Sequence, residues 1–255
     1  MATILVTGMS GLIGGIVRRR LEGKHTLYAL NRRPVEGIPT HQADIADLSA
    51  ILPAFAGKEV VIHLAGHLGE DWEGNLHTNI IGTYHVYEAA RQHGVRRIIY
   101  ASSGAVIGGW EREEPYKALV EGRYPDVPFP WRLVDHETPI RPRSLYGCGK
   151  AWGEILGRYY ADAFGISVLC LRIGHVTAED RPTRLPADWA NWCSQRDIGQ
   201  LIERCVEAPP TLRFAIFYGL SDNPWRYRDI EYARRWLGYA PQDSAEAYRP
   251  KGEKV

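Results

Sequence analysis

Tyr146 and Lys150 stand four residues apart in the stretch SLYGCGKAWGEILG, residues 144–157, and that spacing puts two side chains on one face of a helix. A phenol is a poor base near neutral pH, because its ordinary pKa is about 10 and each unit of lowering needs about 1.4 kcal/mol. An ammonium beside it favours the phenolate. The chemistry this pair suits is proton transfer at a substrate hydroxyl or carbonyl oxygen. Ser102 and Ser103 in YASSGAVIG follow an apolar run and fall at the carboxyl edge of a parallel sheet, where ligands bind in open α/β folds. The tyrosine helix also carries glycines at 147, 149, 153 and 157, each costing about 1 kcal/mol relative to alanine. Glycines 149, 153 and 157 form a bare stripe that a second helix could approach closely. The run NIIGTYHVYEAARQHG is the expected partner, within the subunit or across a dimer.

The elements that must position these residues alternate along the chain. TILVT (3–7), TLYAL (26–30), VVIHL (60–64), RIIYAS (97–102) and SVLCLR (167–172) read as buried strands. GLIGGIVRRRLEG, NIIGTYHVYEAARQHG and GEILGRYYADAFG between them read as helices. Strands apolar on both faces and joined by helices predict an α/β fold, a doubly wound parallel sheet of the Rossmann kind. A dinucleotide-binding domain is expected over 1–172 and a small C-terminal substrate-binding portion over 173–255, with strand RFAIFYG (213–219) returning to the sheet and a helix over 226–239. Residues 109–143, with six prolines, and 175–196 show no period. A loop as long as 109–143 in a compact domain suggests function, and its Trp110, Tyr116, Tyr124, Phe129 and Trp131 could lid a substrate. The tail 249–255 is expected to fray.

ILVTGMSGLIGGIV sets Gly8, Gly11 and Gly14 between the first strand and the first helix, with Ser10, Leu12 and Ile13 completing a phosphate cradle. Gly8 permits the tight turn, Gly11 lets backbone approach a pyrophosphate, and Gly14 lets the helix pack. At the end of the second strand, where a carboxylate would bind the ribose 2′-hydroxyl of NAD, the chain reads Asn31-Arg32-Arg33. No acid repels a 2′-phosphate there and two guanidiniums could grip it, so NADP is expected in preference to NAD.

Composition narrows the partners. A net charge of +1 gives no reason to expect nucleic acid or an anionic membrane, and the Arg18–Arg20 run sits on a helix whose other face is apolar. No apolar run approaches the ~20 residues of a membrane span. Four cysteines without a CxxC pair fit free thiols in a reducing cytoplasm. His63 and His67 straddle a strand end, cannot share a helical face, and are not expected to bind metal.

Taken in order, TGMSGLIG, Asp44-Ile45, HLAG (63–66), TNIIGT (78–83), YASSGAVIG and YGCGK resemble the extended branch of the short-chain dehydrogenase/reductase family. The resemblance implies Tyr146 as catalytic acid/base and Lys150 as holder of the nicotinamide ribose. Ser103, rather than Ser102, would polarise the reacting oxygen. Asp44 and Ile45 would flank the adenine, and Leu64, Ala65 and Gly66 the ribose and phosphates. Asn79 would shape the site and Ile173 would complete the cofactor pocket. The acids that serve the branch's dehydratases are missing after Ser103, and the long C-terminal part of its sugar-nucleotide epimerases is absent.

A nearer likeness, carried by LYGCGKAWGE, LRIGHVTAEDRPTR, SQRDIGQLIERCVEAP and WLGYAPQDSAEAYR, is to the hexuronate dehydrogenases. These oxidise a sugar acid at its anomeric carbon to a lactone. Arg184 would then receive the substrate carboxylate and His175 would touch substrate. Gly104 and Ala105 replace the polar pair that family places after its serine, His175 replaces a small hydroxyl residue, and the family is best known with NAD. The expectation is an NADP-dependent oxidoreductase, forming a homodimer by helix packing. An epimerase that retains NAD and a non-catalytic NADP-sensing module stay open as alternatives.

Overall fold

A computed structural model describes residues 1–250. Strands β1 (Thr3–Thr7), β2 (Thr26–Asn31), β3 (Thr40–Gln42), β4 (Val60–His63), β5 (Arg97–Ser103), β6 (Ser167–Ile173) and β7 (Phe214–Gly219) form one parallel sheet in the order β3-β2-β1-β4-β5-β6-β7. The helices are α1 (Leu12–Leu21), α2 (Leu48–Ile51), α3 (Trp72–Gly74), α4 (Thr83–Gln92), α5 (Tyr116–Glu121), α6 (Leu145–Phe164), α7 (Asp188–Asn191), α8 (Gln195–Glu207) and α9 (Glu231–Leu237). Successive strand residues point to opposite faces, and both faces are covered. Ile4 and Val6 of β1 pack with Ile16 and Val17 of α1 and Ile198 and Leu201 of α8. Leu5, between them, packs with Val86 and Tyr87 of α4 and Leu156 and Tyr160 of α6. This is why the strands read as unbroken apolar runs.

From β1 the chain winds one way to β2 and β3, then crosses back to β4 and winds the other way. The reversal opens a crevice at the carboxyl ends of β1 and β4. Thr7 ties its two sides together, its Oγ1 accepting from the N–H groups of Leu64 at 3.2 Å and Ala65 at 3.1 Å.

Three elements differ from the sequence reading. Strand β3 has only three residues, too few to show a period. Residues 226–230, expected to open the last helix, run as a loop that pairs with Val134: Val134 N–H donates to Tyr227 O at 2.7 Å and Asp229 N–H to Val134 O at 3.0 Å. Segment 109–143 is substantially folded, containing α5 and a 3₁₀ turn at Tyr124–Asp126. Its Tyr116, Leu119 and Val134 are buried with Val106, Ile107, Tyr218, Tyr227 and Ile230 in a third cluster. The aromatic side chains there pack mostly on one another and on the C-terminal portion: Tyr124 stacks on Trp225 at 4.1 Å and Tyr116 meets Tyr227 at 5.3 Å.

Of the tail expected to fray, Lys251–Val255 lie outside the described residues, while Arg249 bonds Glu246 at 3.0 Å and packs 4.4 Å over the Trp189 ring. All four cysteines are free. Among the described residues no helix is long and apolar enough to cross a membrane.

Candidate active site

The crevice is lined first by the β1–α1 turn. Gly8 has φ +71°, and a methyl group on it would fall 2.8 Å from Ala65 N, so only glycine admits this turn beside β4. A methyl at Gly14 would fall 2.4 Å from Met9 O, so the helix start packs on the turn itself. Ser10, Gly11 and Leu12 are exposed and Ile13 is half-buried. Helix α1 begins with no side-chain cap and no acid in its first turn, leaving backbone N–H groups and the positive end of its dipole for an anion. The cradle fits a pyrophosphate.

Asn31, buried at the end of β2, donates from Nδ2 to Ser10 Oγ at 2.7 Å, while its Oδ1 has no partner among the described residues. Arg32 and Arg33 are exposed beside it. Burial raises the Asp44 pKa, but the Ala46 N–H, His77 and Arg32 outweigh it and hold the carboxyl below its usual range. Ile45 is buried against Gly82.

Helix α6 presents the chemistry. Ser144 caps it, its Oγ accepting from Gly147 N–H at 3.0 Å, which fixes the first turn that holds Tyr146. One turn on, Lys150 is buried, with Nζ 5.2 Å from the Tyr100 ring centre and 5.8 Å from that of Tyr146. Burial pushes its pKa down to about 8. Its ammonium makes no hydrogen bond or ion pair among the described residues, and a methyl at Gly66 would fall 2.9 Å from it. A buried cation facing a bare glycine suits the hydroxyls of a bound ribose.

Tyr146 departs from the expected electrostatics. Burial raises its pKa, and the hydroxyl of Ser103 is the group that opposes the rise; the distant, itself desolvated lysine does not. Ser103 and Tyr146 thus face each other across the ends of β5 and α6. Ser102 is committed elsewhere, donating at 2.5 Å to Glu154 Oε1. Glu154 in turn holds Arg172 through bonds of 2.9 and 2.8 Å, all three side chains being buried beneath the site.

The glycine stripe is filled within the subunit. A methyl at Gly149 would fall 2.9 Å from Asn79 Cβ, at Gly153 2.3 Å from the Tyr100 ring, and at Gly157 2.8 Å from Val168 Cγ1. Asn79 lies in a π-helical segment, Asn75–Gly82, between α3 and α4. It bonds both ways to His67, accepting its N–H at 2.9 Å and donating to its carbonyl at 2.8 Å, so it pins the loop around Gly66. His63 is fully buried between Thr7 at 2.7 Å and Thr83 at 3.3 Å, and burial, with the Lys150 charge, pushes its pKa down to about 3. His67 instead pairs with Asp71. Among the described residues no group of three His, Cys, Asp or Glu side chains forms a metal-holding cluster.

Comparison with known proteins identifies the family. Residues 4–203 match the NAD dependent epimerase/dehydratase family. The chain belongs to that family. It is an NAD(P)-dependent oxidoreductase of the short-chain dehydrogenase/reductase type. Its sequence is 37% identical to the NAD-dependent glucose-6-phosphate dehydrogenase of Haloferax volcanii, covering 99% of this chain and 97% of that protein. It is 35% identical to the uronate dehydrogenase of Pseudomonas putida, over 96% of this chain and 86% of that one. Its fold superposes with a TM-score of 0.82 on a mutant of the uronate dehydrogenase of Agrobacterium tumefaciens complexed with NAD, at 32% identity over 99% of this chain and 92% of the other.

In this epimerase/dehydratase family member the edge of the crevice beyond β6 is built from residues far apart in the chain. Ile173 pairs with Ser103 across the sheet, which sets His175 just past the same edge. Asp188, which sequence reasoning missed, organises the loop that follows. Its carboxylate bonds His175 Nδ1 at 2.9 Å and accepts the N–H groups of Thr183 at 2.8 Å and Arg184 at 2.7 Å. Arg184 is thereby tied to His175 through its backbone, with its side chain exposed. Glu154 and Glu111 were also missed. Both are acids whose partners lie in other elements, and no local spacing marks them.

Proposed function

We propose that the protein oxidises the anomeric carbon of a pyranose bearing an anionic group at C6, with NADP as its preferred hydride acceptor. The observation that carries this reading is Ser103 facing Tyr146 at the sheet edge, with Lys150 buried one turn behind. The choice of sugar is supported by two of the relatives whose names specify a sugar: a uronate carries a carboxylate at C6 and glucose 6-phosphate a phosphate there, whereas a third is named for L-arabinose, which carries no anion.

When bound, the nicotinamide supplies a hydride acceptor. Ser103 donates a hydrogen bond to the C1 oxygen and Tyr146 is the base that takes the proton from the C1 hydroxyl. The C1–H electron pair leaves as hydride, C1 becomes a carbonyl carbon, and the product is a lactone. Lys150, protonated at neutral pH with a pKa of about 8, holds the ribose. Arg32 and Arg33, exposed beside an Asn31 that carries no charge, favour a 2′-phosphate. A second reading, NAD as the working cofactor, is favoured by the NAD complex of the Agrobacterium relative.

The test follows nicotinamide reduction with glucuronate, galacturonate and glucose 6-phosphate, supplying NADP and NAD in parallel to the unaltered protein and to Tyr146→Phe. Turnover with a C6-anionic sugar, lost in the variant while cofactor binding is retained, supports the reading. Equal rates in the variant, or no turnover with any of the three sugars, would refute it. Exposed Ile81, Tyr84, Ile155 and Tyr159 near the outer face of α4 and α6 support a homodimer; a single-subunit mass by light scattering would exclude one.

A further inference from the structure

The residue after Ser103 is glycine, and the space where its side chain would stand is taken. A methyl on Gly104 would fall 2.3 Å from Arg228 Nη1 and 2.6 Å from Cζ. A guanidinium from the C-terminal portion therefore occupies the space beside Gly104, the residue that follows Ser103 in the chain. Arg228 is buried, at 5% exposure. Its backbone is held by the pairing of Tyr227 and Asp229 with Val134.

The hydrogen bonds of this guanidinium are incomplete. Of its five N–H donors, those on Nη2 reach Tyr227 Oη at 2.9 Å and Glu111 Oε1 at 3.3 Å. Among the described residues Nε has no partner, and Nη1, the atom nearest Gly104, donates to no acceptor. Its charge is also incompletely balanced. Glu111 is its only carboxylate partner among the described residues, and Arg143 Nη1 lies 2.7 Å from the same carboxylate. Two guanidiniums thus share one negative charge, and Tyr227 and Asn191 further occupy Glu111 Oε1, at 2.6 and 3.3 Å. A desolvated cation with free donors is stabilised by an anion far more than a solvated one is.

We infer that Arg228, whose guanidinium fills the space left by Gly104, is a specificity-determining residue that receives the anionic substituent of the sugar. The assignment rests on the proposed oxidation of a C6-anionic sugar. Arg184 is exposed and lacks that desolvation, so the tighter contact belongs to Arg228.

The experiment measures KM and kcat for glucuronate and for neutral glucose, used as a competitive inhibitor where it is not turned over. The proteins are the unaltered enzyme, Arg228→Met, Arg228→Lys and Gly104→Ala. Arg228→Met should raise the glucuronate KM by about ten- to a hundredfold, leaving the glucose constant and cofactor affinity within about twofold. Arg228→Lys should recover part of the loss. Gly104→Ala keeps every charge but pushes the guanidinium aside, and should shift the glucuronate KM in the same direction. Equal effects on glucuronate and glucose, or no effect on glucuronate, overturn the assignment. Should Arg228→Met fail to fold, Gly104→Ala decides alone by the same criterion. If the unaltered enzyme oxidises no C6-anionic sugar, the reading of its function has failed. Calorimetry with inorganic phosphate then judges Arg228 separately: binding that Gly104→Ala weakens supports an anion site, and no binding overturns it.

Discussion

Replacing Lys150 by methionine should make the protein without cofactor more stable while abolishing its activity. The side chain is 3% exposed and its pKa falls from 10.5 to about 8 through burial. At about 1.4 kcal/mol per unit, keeping this lysine protonated in the fold costs about 3 kcal/mol near neutral pH. Its contacts with the Tyr100 and Tyr146 rings return about 1 kcal/mol, so a net gain of about 2 kcal/mol is expected from the thioether. The sign with pH follows from which state loses its proton first. The folded lysine deprotonates near pH 8 and the unfolded one near 10.5, so the penalty is full below pH 8 and fades as pH rises toward 10.5. Urea unfolding of the two proteins at pH 7 and pH 10 should therefore show a gap that shrinks at the higher pH. Saturating dinucleotide should narrow or reverse the gap at pH 7, because only the ammonium gains a ribose partner. A variant no more stable at pH 7, or a gap independent of pH, would refute the reasoning.

Two further outcomes are expected. Gly153→Ala puts a methyl 2.3 Å from the ring of fully buried Tyr100, and overpacking of about 1–3 kcal/mol should exceed the ~1 kcal/mol gained in helix propensity. A denaturation midpoint at or above that of the unaltered protein would mean that the ring yields. Arg32→Ala should lower the ratio of NADP to NAD affinity by roughly tenfold, measured by titration of each cofactor; an unchanged ratio removes Arg32 from cofactor choice.

Much of the machinery is local and was legible in the chain. The Gly8 turn between an apolar run and an amphipathic one marks a strand, a phosphate cradle and a helix within a few residues. Tyr146 and Lys150 share a face because helical geometry places residues four apart together. Unbroken apolar strands imply a sheet covered on both sides, and helices α4 and α8 confirm it by burying Leu5 and Ile4 on opposite faces. The same local logic failed at residues 226–230, where a helical period is present but pairing with Val134 prevails, and so Arg228 was hidden inside an expected helix.

By itself, the sequence determined the fold class, the cradle and the order of Ser103, Tyr146 and Lys150. Only the tertiary structure decided their electrostatic state and their neighbours. Burial, which no spacing encodes, pushes the Lys150 pKa down and the Tyr146 pKa up. Glu154 claims Ser102 and leaves Ser103 to face the tyrosine, while Gly104 proves to be the space into which Arg228 fits. Periodicity reports which way a side chain points; desolvation and charge pairing depend on what the rest of the chain brings to meet it.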